Sequence, residues 1–328
     1  MGNWLQKVTF LPLKFHLVAK EDFILPTYKG STFRGGFGYV FKKSVCATKF
    51  TRDCKECLLR SSCVYAYIFE SVRPKDAEIM RKYEHVPHPF VLFPPLTRNR
   101  QIKEGDKLVV EIVLIGKAID YLAYFVLVME KLGQNGLGIE KGKCELTQVI
   151  ISLFNFSNEK IIYSAEDKEL TLNIQPFTVS DLLQDFVLEH NEISLRFLTP
   201  LNLIRNGEKV MADLTFKDII RSLLRRIRLL AYFHCGLSPQ ELELDFTYFM
   251  QEAEKVREIN KKLRWFSVNR YSTRQKQRMP VSGIVGKISF QGNLKPFWEF
   301  LLLGQYLNIG KNTSFGCGRY RVELSQGQ

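Results

Sequence analysis

Residues 107–154, KLVVEIVLIGKAIDYLAYFVLVMEKLGQNGLGIEKGKCELTQVIISLF, decide the fold that the sequence predicts. The first nine, Lys107–Ile115, are rich in Val and Ile, which are typical of strands. Residues 121–132 form an apolar run that predicts a helix, and Gly133 follows it as a terminator. Residues 145–154 are again rich in strand-forming side chains. The stretch therefore predicts a strand, a helix and a strand in succession.

The residues before this stretch extend the pattern. Residues 7–18 predict a strand, and a helix is expected from a Ser31 or Thr32 cap to about Val45. A short strand, Phe90–Phe93, is stopped by two prolines. The predicted order is β-α-β-β-α-β, which is the ferredoxin-like or RRM-like motif. Between its first helix and second strand lies a cysteine-rich insertion at about 46–88.

The same order recurs in weaker form after a polar stretch at 175–180. We expect strands at 192–198, 281–290 and 320–324, and helices at 215–234 and 295–307. The helix at 215–234 is the clearest, because its apolar side chains share one face. The sequence thus predicts an α+β protein of two tandem ferredoxin-like domains, residues 1–175 and 176–328.

Composition points to an anionic partner. The chain has 328 residues, and 47 Lys and Arg against 34 Asp and Glu give a formal charge of +13. Such a balance favours nucleic acid as the partner. The longest apolar stretches fall well short of the roughly 20 residues that span a bilayer, and residues 1–6 carry no apolar signal segment. We therefore expect a cytoplasmic protein without a membrane partner.

Four of the seven cysteines are clustered in the insertion, spaced C-x7-C-x2-C-x5-C. The odd total, in a chain without a secretion signal, argues against a disulfide framework. Four thiolates suit a closed, tetrahedral Zn²⁺ site that would be structural rather than catalytic. An iron–sulfur cluster and plain reduced thiols remain alternatives. The predicted ligands are Cys46, Cys54, Cys57 and Cys63.

A basic segment at 261–278 combines seven cations with three aromatic residues and contains no acidic residue. Cations neutralise phosphates and aromatic rings stack on unpaired bases, so this segment favours single-stranded nucleic acid. Its predicted RNA contacts are Arg270 and Arg274.

Two glycine-rich turns also carry basic residues. In the C-terminal segment 308–320, backbone N–H groups can form an anion-binding nest, and an ordinary turn is the alternative. In the segment 28–38, the glycines at the start of the first helix admit either close packing or an RNA backbone. The candidate RNA-binding residues of the two turns are Lys29, Arg34, Gly310, Lys311, Gly316, Gly318 and Arg319.

Candidates for a general base are few, because the chain has only five histidines. His85 and His88 lie on a predicted loop that leads into the strand at Phe90. Loop residues held by a rigid scaffold often carry chemistry. No Ser/His/Asp set is evident, and no tight carboxylate cluster indicates a two-metal nuclease.

Five segments together resemble the CRISPR precursor-RNA processing endoribonucleases of the RAMP superfamily, in the branch that accompanies type III systems. The similarity covers nearly the whole chain. The segments are Lys29–Gly38, the cysteine cluster leading to Tyr65–Glu70, His88-Pro89-Phe90, Asn269–Gln275 and the Gly310–Gly318 loop.

This resemblance implies two ferredoxin-like domains that bind CRISPR repeat RNA, as a single strand or a hairpin. It also implies metal-independent cleavage, in which a 2′-hydroxyl attacks the adjacent phosphate and leaves a 2′,3′-cyclic phosphate and a 5′-hydroxyl. Such a reaction needs a proton acceptor, a cation for the phosphorane and a proton donor. The family suggests CRISPR effector or adaptation proteins as further partners, and Ser272 joins the predicted RNA contacts.

In many members the catalytic histidine lies on or after the first helix, whereas this sequence carries Tyr39 and Lys42 on the helix itself. By topology the candidates become His85 and His88. We favour His88 because it begins the His-Pro-Phe element, with Lys42 stabilising charge and Tyr39 orienting the attacking hydroxyl.

Two other functions fit the same sequence. A catalytically inert RAMP subunit would hold guide RNA within an effector complex. A metal-stabilised protein that binds double-stranded DNA would account for the charge and the cysteines, but not for the terminal glycine loop.

Overall fold

The computed structural model describes residues 3–48, 53–153, 159–186, 188, 191–211, 213–272 and 277–324. The chain forms two compact units. One is Phe10–Pro176, and the other joins Met1–Thr9 to Phe177–Gln328. The first nine residues, expected in the N-terminal domain, thus belong with the C-terminal unit. Among the described residues, no helix has the length and apolar character needed to cross a membrane.

The strands of the unit Phe10–Pro176 are β1 (Phe10–Ala19), β2 (Phe23–Ile24), β3 (Phe90–Phe93), β4 (Gln101–Ile102), β5 (Lys107–Ile115), β6 (Cys144–Ile151) and β7 (Lys160–Ser164). Five of them form an antiparallel sheet in the order β3-β5-β1-β6-β7. A small separate sheet pairs β2 with β4. The helices of this unit are α1 (Gly30–Val45), a π-helical turn (Ala66–Glu70), a 3₁₀ turn (Gly116–Tyr121) and α2 (Leu122–Asn135).

Helix α1 packs through its glycines. A Cβ on Gly36 would lie 2.8 Å from Leu132 Cδ1 of α2, and a Cβ on Gly38 would lie 2.8 Å from the ring of Phe69. Gly38 therefore allows close packing against the Phe69 ring, whereas the neighbour at Gly36 is the end of a flexible leucine side chain, and nothing lies within 4 Å of a Cβ on Gly35. Lys29, rather than Ser31 or Thr32, is the N-cap residue, and it makes no side-chain capping bond.

The second unit contains a four-stranded antiparallel sheet in the order β11-β12-β8-β13. Helices α4 and α6 cover one face, where Phe216 meets Phe290 and the Tyr320 hydroxyl donates to Leu301 O at 2.7 Å. Its elements are a 3₁₀ turn (Asn3–Lys7), α3 (Val179–Asp185), β8 (Glu192–Leu201), β9 (Ile204–Arg205), β10 (Glu208–Lys209), α4 (Phe216–His234), α5 (Phe246–Lys255), β11 (Arg257–Ser272), β12 (Gln277–Gln291), 3₁₀ turns at Lys295–Phe297 and Thr313–Phe315, α6 (Trp298–Leu307) and β13 (Tyr320–Leu324).

The sequence pattern located most of these elements. The strands Lys107–Ile115, Phe90–Phe93 and Tyr320–Leu324 are confirmed with the predicted bounds. Helix α4 begins where expected, because Thr215 and Asp218 form a capping box. The strand β11 and the helix α5 were missed. The described part of the basic segment 261–278 includes the end of β11, which pairs with β12, and many of its side chains are charged or aromatic, so no apolar alternation marks the strand.

The C-terminal glycine loop is packed against its own unit. The N–H of Lys311 donates to Asn202 O at 3.0 Å, and that of Gly318 donates to Pro200 O at 3.0 Å. The N–H of Gly316 donates to Thr313 O at 2.9 Å. Gly310, Gly316 and Gly318 all have positive φ. These N–H groups are therefore already bonded within the protein, and the predicted cradle of free N–H groups at Lys311, Gly316 and Gly318 is wrong.

We predict that Gly318→Ala destabilises the protein by at least about 1 kcal/mol, because an L side chain is strained at positive φ. Its Cβ would also lie 1.8 Å from Ile309 O. The matched control is Gly35→Ala, which lies in helix α1 with open space around it. This substitution should stabilise the protein by about 0.5–1 kcal/mol. Unfolding midpoints in denaturant measure both, and equal effects would contradict the prediction.

Candidate active site and RNA-binding surface

The loop that carries His88 is held beside the end of the π-helical turn Ala66–Glu70. Ser71 follows that turn in the left-handed region at φ 42°. Its carbonyl accepts the N–H of Val86 at 2.8 Å, and an isolated β-bridge pairs Val72 with His85. The chain thus leaves Ser71, returns alongside it, and reaches His88 immediately before β3.

The imidazole of His88 lies between two polar side chains. Ser71 Oγ is 2.7 Å from Nδ1, and Arg34 Nη2 is 3.3 Å from Nε2. Arg34 comes from the first turns of α1, and its guanidinium lies 4.9 Å from the centre of the Phe69 ring. Both Arg34 and His88 are half-buried. The site therefore brings together an imidazole, a hydroxyl and a permanent cation.

His85 occupies a different position. Its Nδ1 is 2.8 Å from Glu70 O, and its Nε2 lies 3.8 Å from a carboxylate oxygen of Glu84. The side chain is exposed. The two candidate histidines thus differ in environment: only His88 has a cation and a hydroxyl on its ring nitrogens.

Lys42 and Tyr39 lie on parts of helix α1 away from His88. The Lys42 ammonium lies 5.7 Å from the centre of the Tyr65 ring and hydrogen-bonds to the Cys54 thiol. Lys42 is eight residues after Arg34, which along a helix is about 12 Å. Tyr39 is exposed and lies roughly 140° around the helix from Arg34. The structure therefore places Arg34, not Lys42, at His88.

Lys29 does not present its charge to solvent. Its side chain is 1% exposed, and its ammonium donates to Thr97 O at 2.8 Å. Burial, with a smaller effect from Arg100, lowers the pKa of Lys29. Arg319 is also buried, at 4% exposure. These two residues, predicted to contact RNA, are parts of the packed interior in this structure, whereas Lys311 is exposed.

The cysteine insertion brings Cys54 near Cys63, Lys42 and Glu70. Burial raises the pKa of the Cys54 thiol, the Lys42 hydrogen bond opposes that shift, and Glu70 and Cys63 add to it. Cys46 Sγ lies 3.3 Å from Thr48 Oγ1. Within the described ranges, no group of three or more His, Cys, Asp or Glu side chains is arranged to hold a metal ion. The zinc site, with the iron–sulfur cluster as its alternative, stays a prediction.

A row of cations crosses the second unit's sheet on the face away from α4 and α6. Cross-strand pairing places Lys262 opposite Lys287, Lys287 opposite Arg196, and Arg196 opposite Arg321. Neighbouring strands are about 4.8 Å apart, so the row carries one cation per strand. Glu323 pairs with Arg196 and Lys287, whose ammonium is 2.9 Å away. The Arg196 guanidinium, with Lys287, holds the pKa of Glu323 below its usual value.

Some predicted RNA contacts lie outside the described part of the chain. Arg274 falls outside the described residues, and for Arg270 and Ser272 only the backbone at the end of β11 is described. Arg196, Lys287 and Arg321 were missed by the sequence analysis, because their alignment becomes visible only from strand register. Ser71 was missed because nothing in the sequence marks its left-handed conformation.

Comparison with known proteins shows similarity to one named family over part of the chain. Residues 195–320 match the family model of the CRISPR-associated endoribonuclease Cas6. Residues 8–175 match a model described as an N-terminal domain. The similarity to Cas6 supports an endoribonuclease of CRISPR RNA processing.

Two relatives are similar in sequence. An uncharacterized protein of Archaeoglobus fulgidus is 26% identical over 302 residues, which is 91% of this chain and 92% of the relative. The CRISPR-associated endoribonuclease Cas6 of Streptococcus thermophilus is 27% identical over 199 residues, which is 55% of this chain and 76% of the relative.

Solved Cas6 structures share the fold. A product complex of Thermus thermophilus Cas6 has a TM-score of 0.58 at 14% identity, covering 96% of this chain and all of the other. A partial Cas6-RT-Cas1–Cas2 complex has the same TM-score of 0.58 at 11% identity, and covers 98% of this chain but 47% of the longer chain.

We predict that the purified protein contains about one zinc per chain, held by the four clustered thiolates. Elemental analysis measures it, with iron quantified in the same sample. The variant Cys54→Ser/Cys57→Ser should lose the metal, whereas the control Cys235→Ser, outside the insertion, should retain it. Absence of stoichiometric zinc and iron from the unsubstituted protein would rule out the site.

Proposed function

We propose that the protein cleaves CRISPR repeat RNA without a metal ion to release guide RNAs. The 2′-hydroxyl attacks the adjacent phosphorus, the bond to the 5′-oxygen breaks, and a 2′,3′-cyclic phosphate and a 5′-hydroxyl result. The observation that supports this proposal is the position of His88 beside Arg34. His88 can accept the 2′-proton, and Arg34 can stabilise the charge of the phosphorane.

The chemistry divides between these two side chains. A neutral imidazole accepts a proton near pH 7, because histidine titrates in that range. The guanidinium of Arg34 stays charged and presents a planar fork of donors that matches phosphate oxygens. Its position over the Phe69 ring keeps it half-buried, where its charge acts more strongly than in water.

The RNA-binding surface that we propose is the cation row Lys262, Lys287, Arg196 and Arg321. Like charges directly opposite each other destabilise a sheet, and Glu323 pairs with Arg196 and Lys287. A phosphate backbone along the row would supply further counter-charge.

The finer assignments are further parts of this proposal. When the strands of each main sheet are numbered in chain order, the first sheet has the order 2-3-1-4-5 and the second the order 2-3-1-4, each with a helix after strands 1 and 3, which supports two ferredoxin-like domains. We assign the protein to the RAMP superfamily, type III-associated branch, and to the cytoplasm. Cas1–Cas2 adaptation proteins are proposed partners, in line with the name of one structural relative.

We predict that His88→Ala slows single-turnover cleavage of labelled repeat RNA in EDTA by about 10²- to 10⁴-fold, the usual contribution of a general base or acid. His85→Ala is the matched control, three residues earlier on the same loop, and should cleave within a fewfold of the unsubstituted protein. RNA affinity should be retained by both variants. Equal rates for the two variants would contradict the assignment of His88.

A second prediction concerns binding. In the cleavage-deficient His88→Ala background, Lys262→Ala and Lys287→Ala should each weaken repeat binding and reduce the slope of log affinity against log salt by about 0.7, the value for one phosphate on a single strand. The control Lys255→Ala, at the end of α5 and paired with Glu252, should leave the slope unchanged. Unchanged slopes for the row variants would remove this surface from the proposal.

A double substitution tests the predicted contacts at Arg270 and Arg274. Arg270→Ala/Arg274→Ala should weaken repeat binding and lower the salt slope by about 1.4, which is twice the single-strand value for one contact. Fluorescence anisotropy at a series of salt concentrations measures it. Affinity and slope equal to those of the His88→Ala background would contradict both contacts.

A further inference from the structure

Ser71 has a backbone conformation that serine rarely adopts. Its φ of 42° lies in the left-handed region, where glycine is the favoured residue. The backbone groups of Ser71 are fully used, since its N–H donates to Ala66 O at 2.9 Å and its carbonyl accepts from Val86. A glycine would make both bonds without strain. The presence of serine therefore points to a use for the hydroxyl.

The hydroxyl is buried and has three neighbours. Ser71 Oγ lies 3.2 Å from Tyr67 O, 3.1 Å from Ile68 O and 2.7 Å from His88 Nδ1. The two carbonyl oxygens only accept hydrogen bonds, so the single hydroxyl hydrogen can be donated to one of them. In that arrangement the hydroxyl oxygen accepts the N–H at Nδ1 of His88.

The other ring nitrogen gives an independent constraint. Arg34 Nη2, at 3.3 Å from His88 Nε2, can only donate. Nε2 must therefore carry a lone pair. Both neighbours are satisfied by the same neutral tautomer, with the proton on Nδ1 and the lone pair on Nε2.

We propose that Ser71 is a positioning residue, which holds His88 in this tautomer so that Nε2 is the proton acceptor for the 2′-hydroxyl. The inference rests on the proposed function. Arg34 covers Nε2 in the free protein, and a phosphate of bound RNA, which offers a charged bidentate acceptor, draws the guanidinium away.

The proton then moves from the 2′-oxygen to Nε2 while the 2′-oxygen–phosphorus bond forms and the bond to the 5′-oxygen breaks. The leaving 5′-oxygen takes a proton from solvent water to become the 5′-hydroxyl, and the proton later released by the imidazolium neutralises the hydroxide. The imidazolium that results cannot accept from Arg34. The guanidinium therefore stays with the phosphorane, and Ser71 Oγ continues to accept from Nδ1. Proton transfer and the relocation of Arg34 are coupled by this change in hydrogen bonding.

Ser71→Gly tests the role of the hydroxyl without straining the turn, because glycine adopts positive φ freely. We expect repeat affinity to be retained and the single-turnover rate in EDTA to fall about 10²-fold, the cost of a misplaced reacting group. Ser71→Asn keeps an acceptor and tolerates this φ, and should recover part of the loss. A rate within a fewfold of the unsubstituted protein for Ser71→Gly would overturn the proposal.

Nitrogen-15 NMR of the histidine ring in the RNA-free protein reports which ring nitrogen carries the proton. This tautomer would not depend on Ser71 if the serine had only a structural role. The unsubstituted protein should show His88 protonated on Nδ1, and Ser71→Gly should shift it towards the Nε2–H form. A ring that is protonated on Nε2 in the unsubstituted protein would overturn the positioning role by itself. Normal cleavage by His88→Ala would instead overturn the proposed function, so the two failures are distinguishable.

Discussion

The contact between helix α1 and the ring of Phe69 is the constraint on which the candidate active site depends. Gly38 has no side chain, and the ring occupies the space that a Cβ would need. Phe69 in turn stacks on Tyr65 and meets Phe37, Phe41 and Phe90 in the core of the unit. This cluster fixes the π-helical turn against α1. Ser71 lies two residues after Phe69, and Arg34 lies above the Phe69 ring. Both residues are thereby held on either side of His88.

This packing explains why segment 28–38 contains glycines at the start of a helix. The sequence left open whether they serve close packing or an RNA backbone, and the structure assigns Gly36 and Gly38 to packing. Each glycine weakens a helix by about 1 kcal/mol, a cost that burial of aromatic rings offsets. The helix thus approaches its neighbours closely, and it places Arg34 beside His88.

Local sequence signals located much of the fold, while the site depended on contacts that they do not encode. Period and capping placed β3, β5, β13 and α4, because each has a pattern that one face of a core imposes. The strand β11 was missed because its side chains are charged or aromatic rather than strictly alternating. His88 was selected from its position in the chain, but its partners required tertiary structure: Ser71 is 17 residues away and Arg34 is 54 residues away.

The C-terminal glycine loop positions the last strand of the sheet in the second unit. Its glycines bring the chain against the end of β8, where Gly318 bonds to Pro200 and the Arg319 N–H donates to Thr199 Oγ1 at 2.9 Å. These bonds set the register in which β13 enters the sheet. Register decides which residues share a face, since a shift of one residue would turn Arg321 and Glu323 towards the helices. The loop that was expected to hold phosphate with its own N–H groups therefore acts by aligning the last strand of the cation row.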